Sequence, residues 1–312
     1  MGWRKCLRES AKQFVSQIYS IVSEDPRDVV ILCSSMTNAA TIKQAFPQIP
    51  LALFMHENQL GYPGSELPNK FAEINWNSLK AADLVMFNSE FHLKQLLELL
   101  PNLGASKQDL RQLANESSVV YVGIEPGLTE LPNNRGEIPL VLFNQRWEQD
   151  KRPDLFLEAC TELANQDVEF NLALCGEHYP GRYEIPSSLT SQVTYEGHLG
   201  RGTYLDVLSR SDIVVSTAEH EYFGVAVAEA IAAGAVPCLP NRLSYPELVP
   251  ETSNLALYEN TFTQALSYQL KNLSRQDPTQ TRLTRAHMKN FGWPAISDSY
   301  DAELKALFNG HQ

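Results

Sequence analysis

The sequence predicts an α/β protein made of two doubly wound domains in tandem, on three observations. Short, continuously apolar runs alternate with segments of helical periodicity along the chain, as expected of parallel strands covered by helices on both faces. A stretch rich in proline and asparagine, "IEPGLTELPNNRGEIP" (124–139), interrupts the alternation near the middle. The length of 312 residues matches about two domains at roughly 150 residues each.

Each element follows from its pattern. Leu7, Ala11, Phe14, Ile18 and Val22 recur every three or four residues and give one helix an apolar face. "DVVILCSS" (28–35) reads as a buried strand, followed by a helix over "TNAATIKQAF" (37–46). Next come the strand "IPLALFMHEN" (49–58), a helix near 69–82, the strand "LVMFNS" (84–89), a helix from Glu90 and the strand "SSVVYVG" (117–123). After the interruption the alternation resumes with "LVLFN", a helix from about Pro153, "VEFNLALCG", "QVTYEG", a helix and "DIVVS". A helix over "FGVAVAEAIAAG" and the strand "AVPCLP" complete the second domain. The expected boundaries are a first domain over 1–126, a linker over 127–138, a second domain over 139–293 and a helix over 294–312 that returns to the first.

Composition narrows the class. At 43% hydrophobic and 20% charged the chain has ample material for two cores. No run approaches the roughly 20 apolar residues needed to cross a bilayer, so no membrane partner is expected. "MGWRKCLRESAKQF" has no apolar leader segment. The five cysteines (Cys6, Cys33, Cys160, Cys175, Cys238) are dispersed and suit reduced core thiols, which favours the cytoplasm. The net charge of -12 is uneven: residues 1–126 hold 11 Lys/Arg against 13 Asp/Glu, the remainder 14 against 24. Because phosphate binding depends on such cations, a polyanionic partner is expected mainly on the first half.

Ligands of doubly wound sheets bind beyond the carboxyl ends of the strands, so motifs just after strands matter most. In "EYFGVAVAEAIAAGAVPCLP" (221–240) a loop leads into a helix that Gly234 closes. The first helical turn at Phe223, Gly224 and Val225 offers unpaired N–H groups and partial positive charge to a phosphate or sugar hydroxyl. Glu221 flanks that turn, and Glu229 lies farther in, able to take a pair of hydroxyls such as those of a ribose. A lone glutamate pair at this spacing is usually surface, but the apolar neighbours Val225, Val227, Ala228 and Ile231 demand a partner for Glu229. In "FNQRWEQDKRP" (143–153), Arg146 and Lys151 supply two cations for a diphosphate. "HENQLGYP" (56–63) concentrates His56, Glu57, Asn58 and Gln59 after a strand, a donor–acceptor cluster suited to a polyhydroxylated or nitrogenous ligand, with Gly61 and Pro63 shaping the loop. "LCGEHYP" and "TYEGHLGRG" place Gly176 and Gly197 at strand ends, with Tyr195 or His198 as candidates to stack on a base. No D-x-D, no histidine pair at ligand spacing and no Gly-rich phosphate loop occurs, so neither metal nor cofactor is expected.

The R-x4-K pair (Arg146, Lys151) after the second domain's first strand, with E-x7-E (Glu221, Glu229) around "FG" and "AEAIAAGAVP" beyond, resembles retaining GT-B glycosyltransferases. "LFMHENQLGYP", "AADLVMFNSEFH" and "FNQRWEQDKRPDLF" are similar, more narrowly, to the tRNA-queuosine α-mannosyltransferase family. The resemblance implies two Rossmann-like domains facing a central cleft, GDP-mannose as a nucleotide-sugar donor and tRNA as acceptor. Arg146 and Lys151 would neutralise the leaving diphosphate, Glu221 and the backbone at Phe223–Val225 would hold the sugar, and Glu229 the ribose. His56 to Gln59 would lie at the donor–acceptor cleft. The family begins with a strand and a Gly-Gly-Ser-His loop that do not precede "GWRKCLRESA" here, so the first sheet is expected to lack a strand. Transfer to a small molecule or glycan, and nucleotide-sugar binding without turnover, are the competing expectations.

Overall fold

The structure is a computed structural model describing residues 3–22, 28–61, 69–178, 181, 183–250, 257–259, 261–275 and 277–311. The chain divides into two compact units, Met1–Val122 with Ile296–Gln312, and Gly123–Ala295. Both are parallel α/β structures.

The first unit runs α1 (Trp3–Val22), β1 (Ile31–Ser34), α2 (Ala39–Ala45), β2 (Leu51–Met55), α3 (Lys70–Ala81), β3 (Leu84–Phe87), α4 (Glu90–Leu99), α5 (Lys107–Asn115) and β4 (Ser117–Val119). The strands pair in the order β1-β2-β3-β4, with Leu53 opposite Cys33 and Val85. Polar side chains begin the helices: Asn38, Asn69 and Ser89 each accept a first-turn N–H, and Ser106 with Asp109 forms a capping box. Side chains of a strand alternate between faces. Leu51, Leu53 and Met55 of β2 therefore enter the main core with Ala11, Ile42, Trp76 and Leu96. Ala52 faces the other side with Met86 and Val120, where Ile296 and Leu307 of the last helix cover it.

The second unit opens with a 3-10 turn over Pro126–Glu130 and continues β5 (Leu140–Phe143), α6 (Pro153–Asn165), β6 (Asn171–Cys175), β7 (Val193–Gly197), α7 (Arg201–Arg210), β8 (Ile213–Val215), α8 (Val225–Ala232), β9 (Val236–Cys238), α9 (Tyr245–Leu248), α10 (Phe262–Asn272) and α11 (Pro278–Met288). The last helix, α12 (Trp293–Gly310), belongs with the first unit from Ile296 onward. Residues 127–138, expected as a linker, lie within the second unit instead. Leu128 is buried, Asn134 donates from its backbone and side chain to Ser209, and Arg135 bonds Ser211 O and Gly234 O. Their prolines and asparagines suppress regular structure without preventing these contacts.

The second sheet has the order β7-β6-β5-β8-β9. The chain leaves β5 in one direction through β6 and β7, then returns to the other side for β8 and β9. That reversal makes the carboxyl ends of β5 and β8 the switch point at which such sheets bind ligands. Helix α8 starts there, after Gly224, and Gly234 (φ 101°) ends it. At its far end Arg285 donates to Ala232 O (3.2 Å) and Arg135 to Gly234 O, cations placed where the helix dipole favours them. Among the described residues no helix is long and apolar enough to cross a membrane.

Candidate active site

The loops after β5 and β8 bring Lys151 and Glu221 together. Lys151 Nζ donates to His220 O at 2.6 Å and to Glu221 Oε2 at 3.2 Å, and stands 3.2 Å from Asp150 Oδ2. Its side chain is only 9% exposed, so this is a desolvated cation held by fixed partners. Thr217 locks the loop beneath it, its single hydroxyl proton shared between Lys151 O and Arg152 O (2.9 and 2.8 Å). His220 is buried in the same place. Burial first, and the neighbouring Lys151 charge second, push its imidazole down to about 4.

Gly224 precedes α8 with φ 86°, a conformation that favours glycine. A Cβ there would sit 3.3 Å from the Tyr245 ring and 3.4 Å from Glu221 Cγ. The glycine thus lets the first turn of α8 lie against Glu221 with its N–H groups unobstructed. Phe223 is buried against Phe291 (ring centroids 5.7 Å apart), leaving only its backbone for a ligand. Val225 is exposed at the helix start.

Glu229 is half-buried on the same helix. Arg201 Nη1 reaches its Oε1 at 3.2 Å and also pairs with Glu125. Burial raises the Glu229 pKa, and Arg201 and the Tyr204 hydroxyl pull it back. Asn144, the first residue past β5, donates to Tyr204 Oη (3.0 Å) and Ala226 O (2.6 Å), tying the strand end to the start of α8. Among the described residues its buried Oδ1 has no hydrogen-bond partner.

Other predicted residues fall differently. Arg146 is on the same loop as Lys151 but points outward, 53% exposed, with Glu148 3.5 Å away. The two cations are therefore not one preformed clamp. Gly176 (φ 136°) marks a backbone crossing: a Cβ would overlap Gln145 O and lie 2.9 Å from its carbon. Gly197 (φ 87°) has open space around it. Tyr195 is not brought to the site. Strand alternation turns it toward α7, where its hydroxyl donates to Asp206 (3.2 Å).

In the first unit, "HENQ" separates into two roles. His56 lies at the end of β2 with Nδ1 3.2 Å from Ser35 Oγ, and Glu57 N donates to that hydroxyl (3.3 Å). Burial lowers the His56 pKa, opposed by Glu57. Asn58, expected to bind acceptor, is instead fully buried structure. Its amide meets His92 Nε2 (2.9 Å), and its Oδ1 accepts from Leu60 N and Gly61 N (2.8 and 3.0 Å). Asn88 Oδ1 lies 2.7 Å from His92 Nδ1, so that nitrogen carries the proton and Nε2 accepts from Asn58. Gln59 is likewise buried, its N–H bonded to Asn75. Four polar residues in a row look alike in sequence, but only the first two remain at the sheet's crest. Pro63, expected to shape the loop, lies outside the described residues. Among the described residues no group of three His, Cys, Asp or Glu is placed to hold a metal ion.

Sequence reasoning missed Asn144, Gln145, Ser216, His220, Arg201, Tyr204 and Tyr245. Asn144, Gln145 and Ser216 carried a usable signal, because each is a polar residue one or two positions past an apolar strand.

Residues 1–124 match the family described as tRNA-queuosine alpha-mannosyltransferase N-terminal, and residues 130–290 match Glycosyl transferases group 1. The chain is 30% identical to a tRNA-queuosine alpha-mannosyltransferase of Drosophila melanogaster, over 95% of this chain and 83% of that protein. Its fold is similar to sucrose-phosphate synthase from Thermosynechococcus elongatus (TM-score 0.70, 17% identity, 98% of this chain and 80% of the other). It is also similar to Anabaena HepE in complex with UDP (TM-score 0.65, 17% identity, 96% and 85%).

Proposed function

The chain belongs to the tRNA-queuosine α-mannosyltransferase family, and from that premise we propose that it transfers mannose from GDP-mannose to the queuosine base of a tRNA with retention of configuration. Glycosyl transfer itself follows from the family and from the group 1 domain. The observation that carries the chemistry is the pairing of buried Lys151 with the partly exposed Glu221 at the switch point, beside the open first turn of α8.

The bond between the sugar's anomeric carbon and the phosphate oxygen breaks, and GDP departs with the electron pair. The sugar passes through an oxocarbenium-like state, and the acceptor hydroxyl attacks from the face that GDP left. Its proton leaves with the diphosphate. No protein nucleophile is required. Lys151 and the α8 N-terminus stabilise the charge that grows on the diphosphate, a preorganised field that requires no rearrangement during reaction. Arg146 reaches the diphosphate by swinging from its exposed position. Glu221 takes hydroxyls of the hexose and Glu229 those of the ribose. His56 and Glu57 face the acceptor. We assign the reaction to the cytoplasm, in keeping with the five free cysteines.

The acidic second half of the chain favours one competing reading, a small-molecule or glycan acceptor. Incubation with labelled GDP-mannose and either queuosine-bearing or queuosine-free tRNA separates the two. Label is expected only on the queuosine-bearing tRNA. Equal labelling of both, or label on neither, overturns the proposal.

A further inference from the structure

Three side chains that no motif singled out close on one another beneath Glu221. Ser216 Oγ donates to Gln145 Oε1 (3.0 Å), Gln145 Nε2 donates to Tyr245 Oη (3.1 Å), and the Tyr245 and Ser216 hydroxyls lie 2.6 Å apart. Ser216 has one proton and gives it to Gln145, so Tyr245 is the donor in the third contact. Ala218 N adds a second bond into Ser216 Oγ at 3.2 Å. All three residues are buried, in surroundings where a broken bond leaves a costly unpaired group.

The direction of this ring fixes the Gln145 amide. Its remaining N–H points toward Glu221 Oε2, 3.5 Å away. A flipped amide would turn its carbonyl oxygen toward that carboxylate. Lys151 approaches the same oxygen at 3.2 Å. Both donors therefore meet at Oε2, while Oε1 has no hydrogen bond among the described residues. Tyr245 also packs its ring edge under Gly224, so one side chain supports both the carboxylate and the glycine before α8.

We propose that Gln145, Ser216 and Tyr245 are positioning residues for Glu221, turning its Oε1 outward as the acceptor for a hydroxyl of the transferred hexose. The inference rests on the proposed assignment of Glu221 to the donor sugar. It separates two parts of the donor: loss of the ring disturbs the grip on the hexose and leaves the grip on the nucleoside diphosphate alone.

The test is a double-mutant cycle on the full chain, using GDP-mannose turnover and GDP affinity by calorimetry. Tyr245→Phe is expected to lower kcat about 10-fold, with GDP affinity within about 2-fold of wild type. In a Glu221→Gln background the same change is expected to alter kcat by less than about 2-fold, because its route of action is already removed. Equal losses in both backgrounds overturn the proposal, as does a folded Tyr245→Phe protein that loses GDP affinity in step with turnover. A second arm needs no donor. Tyr245→Phe and Gln145→Met, compared singly and together by denaturant unfolding, should cost no more together than the worse of the two alone, since each opens the same ring. Additive losses sink the ring itself. Wild-type silence with GDP-mannose counts against the proposed donor, and the unfolding arm then decides.

Discussion

Lys151 and Glu221 meet at 3.2 Å across the switch point of the second sheet, although 70 positions separate them in the chain. One comes from the loop after β5 and the other from the loop after β8, so the pair exists only because those strands are neighbours. Its cation is buried and its carboxylate 20% exposed, which leaves the negative partner accessible to a ligand.

Lys151 and Arg146 should therefore separate under mutation. Lys151→Ala is expected to cut turnover by about 10²- to 10³-fold. It should also cost about 2 kcal/mol of stability, less than the roughly 3–5 of a fully buried pair because Glu221 is partly hydrated. Arg146→Ala should lower turnover by orders of magnitude while stability stays within about 0.5 kcal/mol, as its pairing is on the surface. GDP-release assays and denaturant unfolding on both variants check this. Unchanged GDP release in either variant removes that residue from the mechanism.

His220 makes the site acid-sensitive. Its pKa falls from 6.5 to about 4 in the folded chain, so between those values only the unfolded chain takes up the proton. The contribution is fully present above about pH 6.5, declines as pH falls and is gone below about 4. By 1.36 kcal/mol per unit it amounts to about 3 kcal/mol. His220→Gln should flatten the stability profile across that window by about one proton. A slope identical to wild type would show that His220 titrates normally.

Gly176 and Gly197 share a left-handed backbone but not their surroundings. Gly176→Ala forces a Cβ into Gln145 O and should destabilise by about 3 kcal/mol or more. Gly197→Ala meets no atom within 4 Å and should cost only the conformational penalty of about 1–2 kcal/mol. Chemical denaturation of the two variants side by side reads the difference, and equal costs would argue against the close crossing of the β5 and β6 loops.

Asn58 and His56 should also part ways. Asn58→Ala strands the bonds of His92, Leu60 and Gly61 and should destabilise by about 2 kcal/mol, with acceptor KM unchanged in the folded fraction. His56→Ala should hold stability within about 1 kcal/mol and lower turnover about 10²-fold. An Asn58 variant with normal stability and a raised acceptor KM would return that residue to the binding surface.

The alternation of apolar runs and helical stretches revealed both sheets, because buried parallel strands tolerate few polar residues. The Glu221–Gly224–Glu229 segment was readable for a similar reason: carboxylates stand out on an alanine-rich helix. Other features depend on distant partners. Nothing near Tyr245 announces that its hydroxyl closes a ring with Gln145 and Ser216, and nothing in "HENQ" tells a crest residue from a buried one. Residues 127–138 read as a linker since local sequence reports loss of regular structure, not the contacts that Arg135 and Asn134 make with residues more than 70 positions away.

Helix α8 is anchored from behind. With Arg285 holding Ala232 O at its end and Arg135 holding Gly234 O just beyond, its leading turn is held in place for the anionic group of the proposed donor. The disorder of that segment is removed once, as the chain folds, and association has only the incoming molecule's own motion left to arrest.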